Sequence, residues 1–322
     1  VGGAEGADRQ REGEGEVAEG LLDADRDDQQ RRHRDEDDAV RSRFPFSNTV
    51  ANVPVALVTG ASTGIGEATA IRLAREPGME LVLVARREER LRDLAASLPC
   101  RATHVAVDLT DEEAPQRIDR HLEEQHRGEL HLLVNNAGNA WRAGFAEGGH
   151  ANVRRHMELN FDAAVRLTEA LLPLLRASAP SAIVNVASTA GRVSRARTGA
   201  YSASKFALIG WSDSLYAEEQ PHGVHVGLVL PGFIATEGFP ATELREKAIT
   251  RWIVSKPAKV AEAIYECGPG GKAERYVPRP YALAAHARIL LPSLTRRVLG
   301  GGAAANLTTS TGAEGAQGPD PG

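Results

Sequence analysis

Cysteine is nearly absent: the 322-residue chain holds two, Cys100 and Cys267. Two cysteines are too few for a disulfide framework, and their spacing matches no metal-binding pattern. Long apolar runs are missing as well. No stretch approaches the roughly 18 uninterrupted apolar residues of a membrane span. The first forty residues carry no apolar segment of the kind a secretory signal needs. These absences make a reducing cytosol the simplest expected compartment. A basic excess is lacking too. The formal charge is -5, which argues against a nucleic-acid surface. Lysine is scarce, with only five among 38 basic residues. Arginine serves wherever a permanent cation suffices, so each lysine carries information, Lys205 above all. The ten histidines include the pairs His121/His126 and His222/His225, which lack three converging ligands. No metal is expected.

What is present is unevenly distributed. Residues 1–43 carry 14 acidic and eight basic side chains and almost no large apolar ones. Such a segment cannot bury enough surface to offset its ordering entropy. Residues 1–50 are therefore expected to form a disordered acidic arm. Between 51 and 280 short apolar runs alternate with amphipathic stretches. The pattern predicts strands at 55–59, 80–85, 103–107, 130–134, 181–187 and 224–230, with a weaker one at 275–277. It predicts helices at 67–75, 87–98, 111–126, about 150–178, 200–219 and 257–267, with Pro173 bending or interrupting the fourth. Apolar strands alternating with helices imply an α/β fold: a doubly wound, Rossmann-type parallel sheet in a single domain with disordered tails. Ligands in such folds gather at the carboxyl ends of the strands. Residues 281–299 read as one amphipathic helix that packs on the domain or on a partner subunit. Peripheral membrane contact is the sharper alternative. Residues 300–322 are Gly/Ala/Thr-rich and expected to be a disordered tail.

The chemistry-bearing residues fall at strand ends. Tyr201 and Lys205 are four residues apart, one helical turn, so they share a face. A phenol beside an ammonium is suited to moving protons, because an adjacent cation favours the phenolate. The pair alone is weak evidence. Between the first strand and first helix lies Thr59-Gly60-Ala61-Ser62-Thr63-Gly64-Ile65-Gly66. Its glycines permit a tight turn and close backbone approach, and the helix start offers N–H groups to phosphate.

With this loop the chain resembles the short-chain dehydrogenase/reductase family, whose loop reads Thr-Gly-x-x-x-Gly-x-Gly. The resemblance continues in order through Asn135-Asn136-Ala137-Gly138, Asn160, Ser188, Tyr201 with Lys205, and Pro231-Gly232 with Thr236. It covers residues 53–280. Six motifs in sequence and spacing make it far more specific than the tyrosine–lysine pair. It implies an oxidoreductase that interconverts a carbonyl and an alcohol by hydride transfer from a nicotinamide cofactor. Tyr201 is then the acid/base, Lys205 lowers its pKa and bonds the nicotinamide ribose, Ser188 polarises the carbonyl, and Asn160 holds a relay water. The expected cofactor site comprises Gly60, Ser62, Thr63, Gly64, Ile65, Gly66, Asn136, Ala137, Gly138, Tyr201, Lys205, Pro231, Gly232, Ile234 and Thr236. Asp108 and Leu109 match the family's adenine-binding position.

No carboxylate opens the loop after the second strand, where one would accept hydrogen bonds from a ribose 2′-OH. The chain reads Ala85-Arg86-Arg87, and guanidinium groups suit a 2′-phosphate. NADP(H) is therefore expected over NAD(H), with Arg86 as the principal contact and Arg87 or Thr63 assisting. The substrate site is expected among 139–145, 191–198 and 233–255, with Trp141, Phe233, Phe239 and Trp252 forming an apolar pocket or lid. Arg192, Arg195 and Arg197 either bind an acidic substrate or are simply exposed. A small-molecule carbonyl or alcohol is the expected partner. The family resemblance implies a homo-oligomer paired through helices near 160–178 and 200–219. The competing readings are a non-catalytic NADP(H) sensor or scaffold, and an epimerase or dehydratase on the same fold.

Overall fold

The computed structural model describes residues 54–235 and 254–300. The acidic arm, Thr236, Phe239, Trp252 and the segment beyond residue 300 lie outside the described residues. The chain runs β1 (Val55–Thr59), α1 (Gly64–Leu73), β2 (Glu80–Ala85), α2 (Glu88–Ser97), β3 (Ala102–Ala106), α3 (Ala114–His126) and β4 (Leu132–Asn135). It continues through α4 (Phe145–Met157), a π-turn (Glu158–Asp162), α5 (Ala163–Ala177), β5 (Ser181–Val186), α6 (Gly199–Glu219) and β6 (Val224–Pro231). The last elements are the two-residue strands β7 (Phe233–Ile234) and β8 (Val254–Ser255), then α7 (Pro257–Cys267), β9 (Glu274–Val277), α8 (Tyr281–Leu290) and α9 (Pro292–Gly300).

Seven strands form one sheet in the order β3-β2-β1-β4-β5-β6-β9, every pairing parallel. The expected doubly wound sheet is present. Side chains alternate across a strand, and the two faces have separate cores. Ala56, Val58, Leu81, Leu83, Leu132 and Val134 pack beneath α1, α2 and α7. Val55, Leu57, Val82, Val84, Leu133 and Ile183 pack beneath α3, α5 and α6. Strands buried on both sides read as unbroken apolar runs for this reason. The order reverses between β1 and β4, and that switch point opens a crevice at their carboxyl ends.

A polar ladder fixes the neighbouring strand ends. Asn135 and Asn185 face each other across β4 and β5. The Asn135 amide donates to Asn185 Oδ1 at 2.9 Å and to Thr168 Oγ1 at 3.0 Å, and the Asn185 amide donates to Ser212 Oγ at 2.8 Å. Buried polar groups linked this way hold the ends of β4 and β5 to α5 and α6.

Two helical expectations change. The region from 150 to 178 is a chain of pieces. Gly149, at φ 50°, sets the first turn of α4 apart from its remainder. A π-turn then carries Asn160. Pro173 lies inside α5, which continues to Ala177. The single helix expected over 281–299 is two helices, because Pro292 cannot continue α8 and instead starts α9. Both show apolar side chains to solvent, including Leu283 at 74% and Leu290 at 75% exposure. Among the described residues, no helix is long and apolar enough to cross a membrane.

Candidate active site

A cleft of about 640 Å³ lies along the carboxyl ends of β1 to β6. Its first wall is the Gly-rich loop. Gly60 and Gly64 take φ values of 64° and 62°, a region that side chains rarely adopt. Gly66 is required for a different reason. A Cβ there would collide with the carbonyl oxygen of Gly60 and lie 2.8 Å from Asn136 Nδ2. Gly66→Ala should therefore destabilise the fold by about 1–3 kcal/mol and weaken binding of the expected nicotinamide cofactor at least about tenfold. Urea unfolding and fluorescence titrations with NADH and NADPH would read the two effects. Unchanged values for both would remove this close approach as a requirement.

Thr59 ties the loop to β4, a role the sequence reading missed. Its hydroxyl donates to the Val134 carbonyl at 3.0 Å and accepts from the N–H groups of Asn136 and Ala137 at 2.9 and 3.0 Å. The Asn136 amide returns a bond to the Thr59 carbonyl at 2.8 Å. One hydroxyl thus sets the spacing of two cleft walls.

Gly60, Ser62, Thr63, Gly64, Ile65, Arg86, Arg87, Asp108, Leu109, Asn136, Ala137, Gly138, Tyr201, Lys205 and Pro231 all line the cleft. Three further expected residues stand behind its wall. Gly66 makes the approach just described, Gly232 lies against the Tyr281 ring, and Ile234 is buried in β7. The two arginines take different partners at the cleft. Arg87 reaches the Gly-rich loop, with Nη2 3.2 Å from Ser62 Oγ and 3.1 Å from Thr63 Oγ1. Arg86 instead pairs with Asp108 at 3.6 Å. Burial pulls the Asp108 carboxyl upward, but its bonds from the Thr110 N–H and hydroxyl and the Arg86 charge hold it below the ordinary range. The residue after β2 thus meets the end of β3 within the cleft, and the next one meets the Gly-rich loop.

The far end of the cleft holds the proton-handling groups. Tyr201 sits in the first turn of α6, half-buried, with the Ser188 hydroxyl in hydrogen-bonding reach of its phenol. Ser188 also donates to the Pro231 carbonyl at 3.3 Å and accepts from the Ala190 N–H at 3.1 Å. Lys205 is 4% exposed, and its ammonium donates to the Val186 carbonyl at 2.9 Å. Burial without a carboxylate lowers its pKa to about 8. Burial raises the Tyr201 pKa, opposed by Ser188 and by the guanidinium charges of Arg195 and Arg142. The Lys205 ammonium points at backbone, and two arginines, Arg195 and Arg142, also bring positive charge to bear on the phenol.

Asn160 braces the loop after β4. Its Oδ1 accepts from the Asn139 N–H at 2.8 Å, and its amide donates to the Asn139 carbonyl at 3.0 Å and to Ser204 Oγ at 3.1 Å. Asn160 Oδ1 and Lys205 Nζ both flank Gly138, at 2.9 and 3.5 Å from where a Cβ would stand. His156 was not singled out in the sequence. It is fully buried, accepts from the Trp141 N–H at 3.0 Å through Nε2, and donates from Nδ1 to the Asn152 carbonyl at 2.7 Å. Its ring stands edge-on to Tyr201, with centroids 6.1 Å apart. Burial lowers its pKa, which keeps the neutral form that this bonding pattern needs.

The pattern described as short chain dehydrogenase matches residues 54–247, more than half of the chain. The chain belongs to the short-chain dehydrogenase/reductase family. It is 33% identical over 199 residues to the dehydrogenase/reductase SDR family member 7B of Xenopus laevis, covering 59% of this chain and 61% of that one. It is 34% identical over 198 residues to an NADPH-dependent 1-acyldihydroxyacetone phosphate reductase of Schizosaccharomyces pombe, covering 60% and 64%. The chain thus spans less than two thirds of the length of these two relatives. A solved short-chain dehydrogenase from Streptomyces avermitilis superposes with a TM-score of 0.62 at 30% identity, covering 81% of this chain and 99% of that one. The family binds nicotinamide cofactors. The residues here fit such a group: a loop that a Cβ at Gly66 would close, a helix N-terminus facing the cleft, and arginine and hydroxyl donors at the rim beside that loop.

Proposed function

We propose that this protein is an NADP(H)-dependent oxidoreductase that interconverts a carbonyl and an alcohol, with Tyr201 as the general acid and base. The observation that carries this reading is that Tyr201 and the buried Lys205 line one end of the cleft whose other end is the Gly-rich loop, with the Ser188 hydroxyl just behind, in reach of the Tyr201 phenol. A bound nicotinamide supplies or accepts the hydride. The chain's own residues do the rest. Ser188 donates a hydrogen bond to the substrate oxygen and orients it towards Tyr201. The Tyr201 hydroxyl gives its proton to that oxygen in reduction and takes one back in oxidation. Arg195 and Arg142 stabilise the phenolate left after donation. Lys205 holds the cofactor ribose, and Asn160 fixes the loop beside it and positions the water that returns protons from solvent.

Preference for the 2′-phosphate form rests on Arg87 with Ser62 and Thr63, which together present donors at the cleft rim, and on the absence of a carboxylate at the end of β2. The fission yeast relative carries NADPH dependence in its name. Arg87→Gln should lower kcat/KM for NADPH by about 10- to 100-fold, the loss of one or two charge-assisted hydrogen bonds, and change that for NADH by less than about threefold. Steady-state rates with both cofactors measure this. An unchanged preference would return the role to Arg86 or remove it.

The reading as a whole is tested by the loss of NADPH absorbance over a panel of aldehydes and ketones. Turnover of at least one is expected. Tight NADPH binding with no consumption across the panel would favour the sensor reading instead.

A further inference from the structure

Three arginines lie between Ser188 and Tyr201, and their surroundings differ. Arg192 pairs with Glu274 at 2.8 Å. Arg197 grips both carboxylate oxygens of Glu147, at 2.7 and 2.8 Å. Arg195 has no carboxylate partner among the described residues. Its guanidinium carbon lies 4.5 Å from the centre of the Phe233 ring, and the side chain is half-buried.

The place is specific. Arg142 follows β4, Arg195 follows β5 and Phe233 follows β6, so segments after three strand ends are brought near Tyr201 at the start of α6. The charges of Arg195 and Arg142 both act on the Tyr201 phenol, and they act unfavourably on each other. A cation that is partly withdrawn from water and lacks an opposite charge is costly to maintain. Burial accordingly lowers the Arg195 pKa. Stacking on an aromatic face offsets part of that cost. What remains is a concentration of positive potential beside the proton donor, where a low-dielectric wall strengthens attraction for an anion.

We propose that Arg195, seated on the Phe233 ring, binds an anionic group of the substrate, so that the preferred carbonyl compound carries a carboxylate, sulfonate or phosphate beyond its reacting carbon. This rests on the oxidoreductase reading above and adds the substrate class to it. The planar fork of Arg195 suits two oxygens of one anion. Arg142 adds long-range attraction, and Trp141 and Phe233 face the carbon chain between anion and carbonyl.

The test uses matched pairs of aldehydes: 4-oxobutanoate against 4-oxobutanamide, and glyceraldehyde 3-phosphate against glyceraldehyde, with 2-oxoethanesulfonate as a third anion. Each is titrated calorimetrically into the dead-end complex with NADP+ and assayed for reduction by NADPH. The wild type should bind at least one anionic compound about 100-fold more tightly than its neutral partner, with a matching advantage in kcat/KM. The preferred anion identifies the class. Arg195→Gln should bring the pair within about threefold, while Arg195→Lys keeps an intermediate preference. An unaltered NADPH affinity shows that each variant is folded. Should the glutamine variant fail that control, the lysine variant alone decides, by a loss of about tenfold for the anionic member. No anion preference in the wild type overturns the inference. So does an equal loss for both members of a pair, which would mean that Arg195 acts only through Tyr201. Anion-selective binding with no turnover keeps the inference and overturns the oxidoreductase reading.

Discussion

Tyr201→Phe should abolish turnover, with kcat falling at least about a thousandfold, while NADPH affinity stays within about twofold of the wild type. The substitution removes one oxygen and keeps the ring. The edge contact with His156 survives, and so does the start of α6. The cofactor cleft loses no backbone contact. The reaction loses the only phenol in reach of Ser188 among the described residues. General acid–base catalysis contributes about 10²–10⁴ in rate, and the same oxygen also shapes the site that receives the carbonyl. Fluorescence titration and steady-state kinetics separate binding from turnover. A variant that binds NADPH normally and retains a tenth of the activity would mean that another group delivers the proton.

Lys205→Met should make the protein more stable and less active. In the wild type the ammonium is buried, with a pKa near 8 against 10.5 for an ordinary lysine. The unfolded chain therefore binds more protons than the folded one between these two values. Wild-type stability attributable to this residue rises with pH across that window, and the burial cost applies in full below pH 8. The shift corresponds to about 3 kcal/mol. Methionine removes that cost but leaves the Val186 carbonyl without its 2.9 Å partner, which takes back about 1–2 kcal/mol. A net gain of about 1–2 kcal/mol at pH 7 is expected, shrinking as pH approaches 10.5. Urea unfolding of both proteins at pH 7 and pH 10 reads this directly. Cofactor affinity should fall and kcat should drop at least about a hundredfold. A variant less stable than the wild type, by the same margin at both pH values, would contradict the account of a buried, costly cation.

Much of the fold was legible because its strands are buried on both faces. Uninterrupted runs such as Leu81-Val82-Leu83-Val84 left few alternatives once helical stretches separated them. The Gly-rich loop was legible because only glycine meets its positive φ angles and the tight contact between Gly60 and Gly66. Local sequence carried less information where tertiary contacts decide. Gly149 and the π-turn at Asn160 interrupt a region whose apolar spacing reads as continuous helix. Pro292 was visible and should have divided 281–299, since a proline inside a helix removes a donor and clashes with the preceding turn.

The site followed the same division. Residue types and order singled out Tyr201, Lys205 and Ser188, but not which cation faces which oxygen. Lys205 is one turn from Tyr201, yet its ammonium is drawn to the Val186 carbonyl. Arg195 comes from the preceding loop, and Arg142 from another strand end altogether. Arg86 and Arg87 both line the cleft, and only the path of the loop shows that Arg86 meets Asp108 while Arg87 meets Ser62 and Thr63. Thr59 and His156 were missed because a threonine ending a strand and a histidine inside a helix carry no signal beyond core packing.

The central claim is that hydride enters a carbonyl carbon while Tyr201 supplies the proton to its oxygen. Reduction with NADPH carrying deuterium at the transferring position of the nicotinamide C4 tests it most directly. Mass spectrometry of the product should find one deuterium on the carbinol carbon for the wild type, and no labelled alcohol should form with Tyr201→Phe. Consumption of labelled NADPH without deuterium in the alcohol, or equal labelled product from the phenylalanine variant, would contradict it.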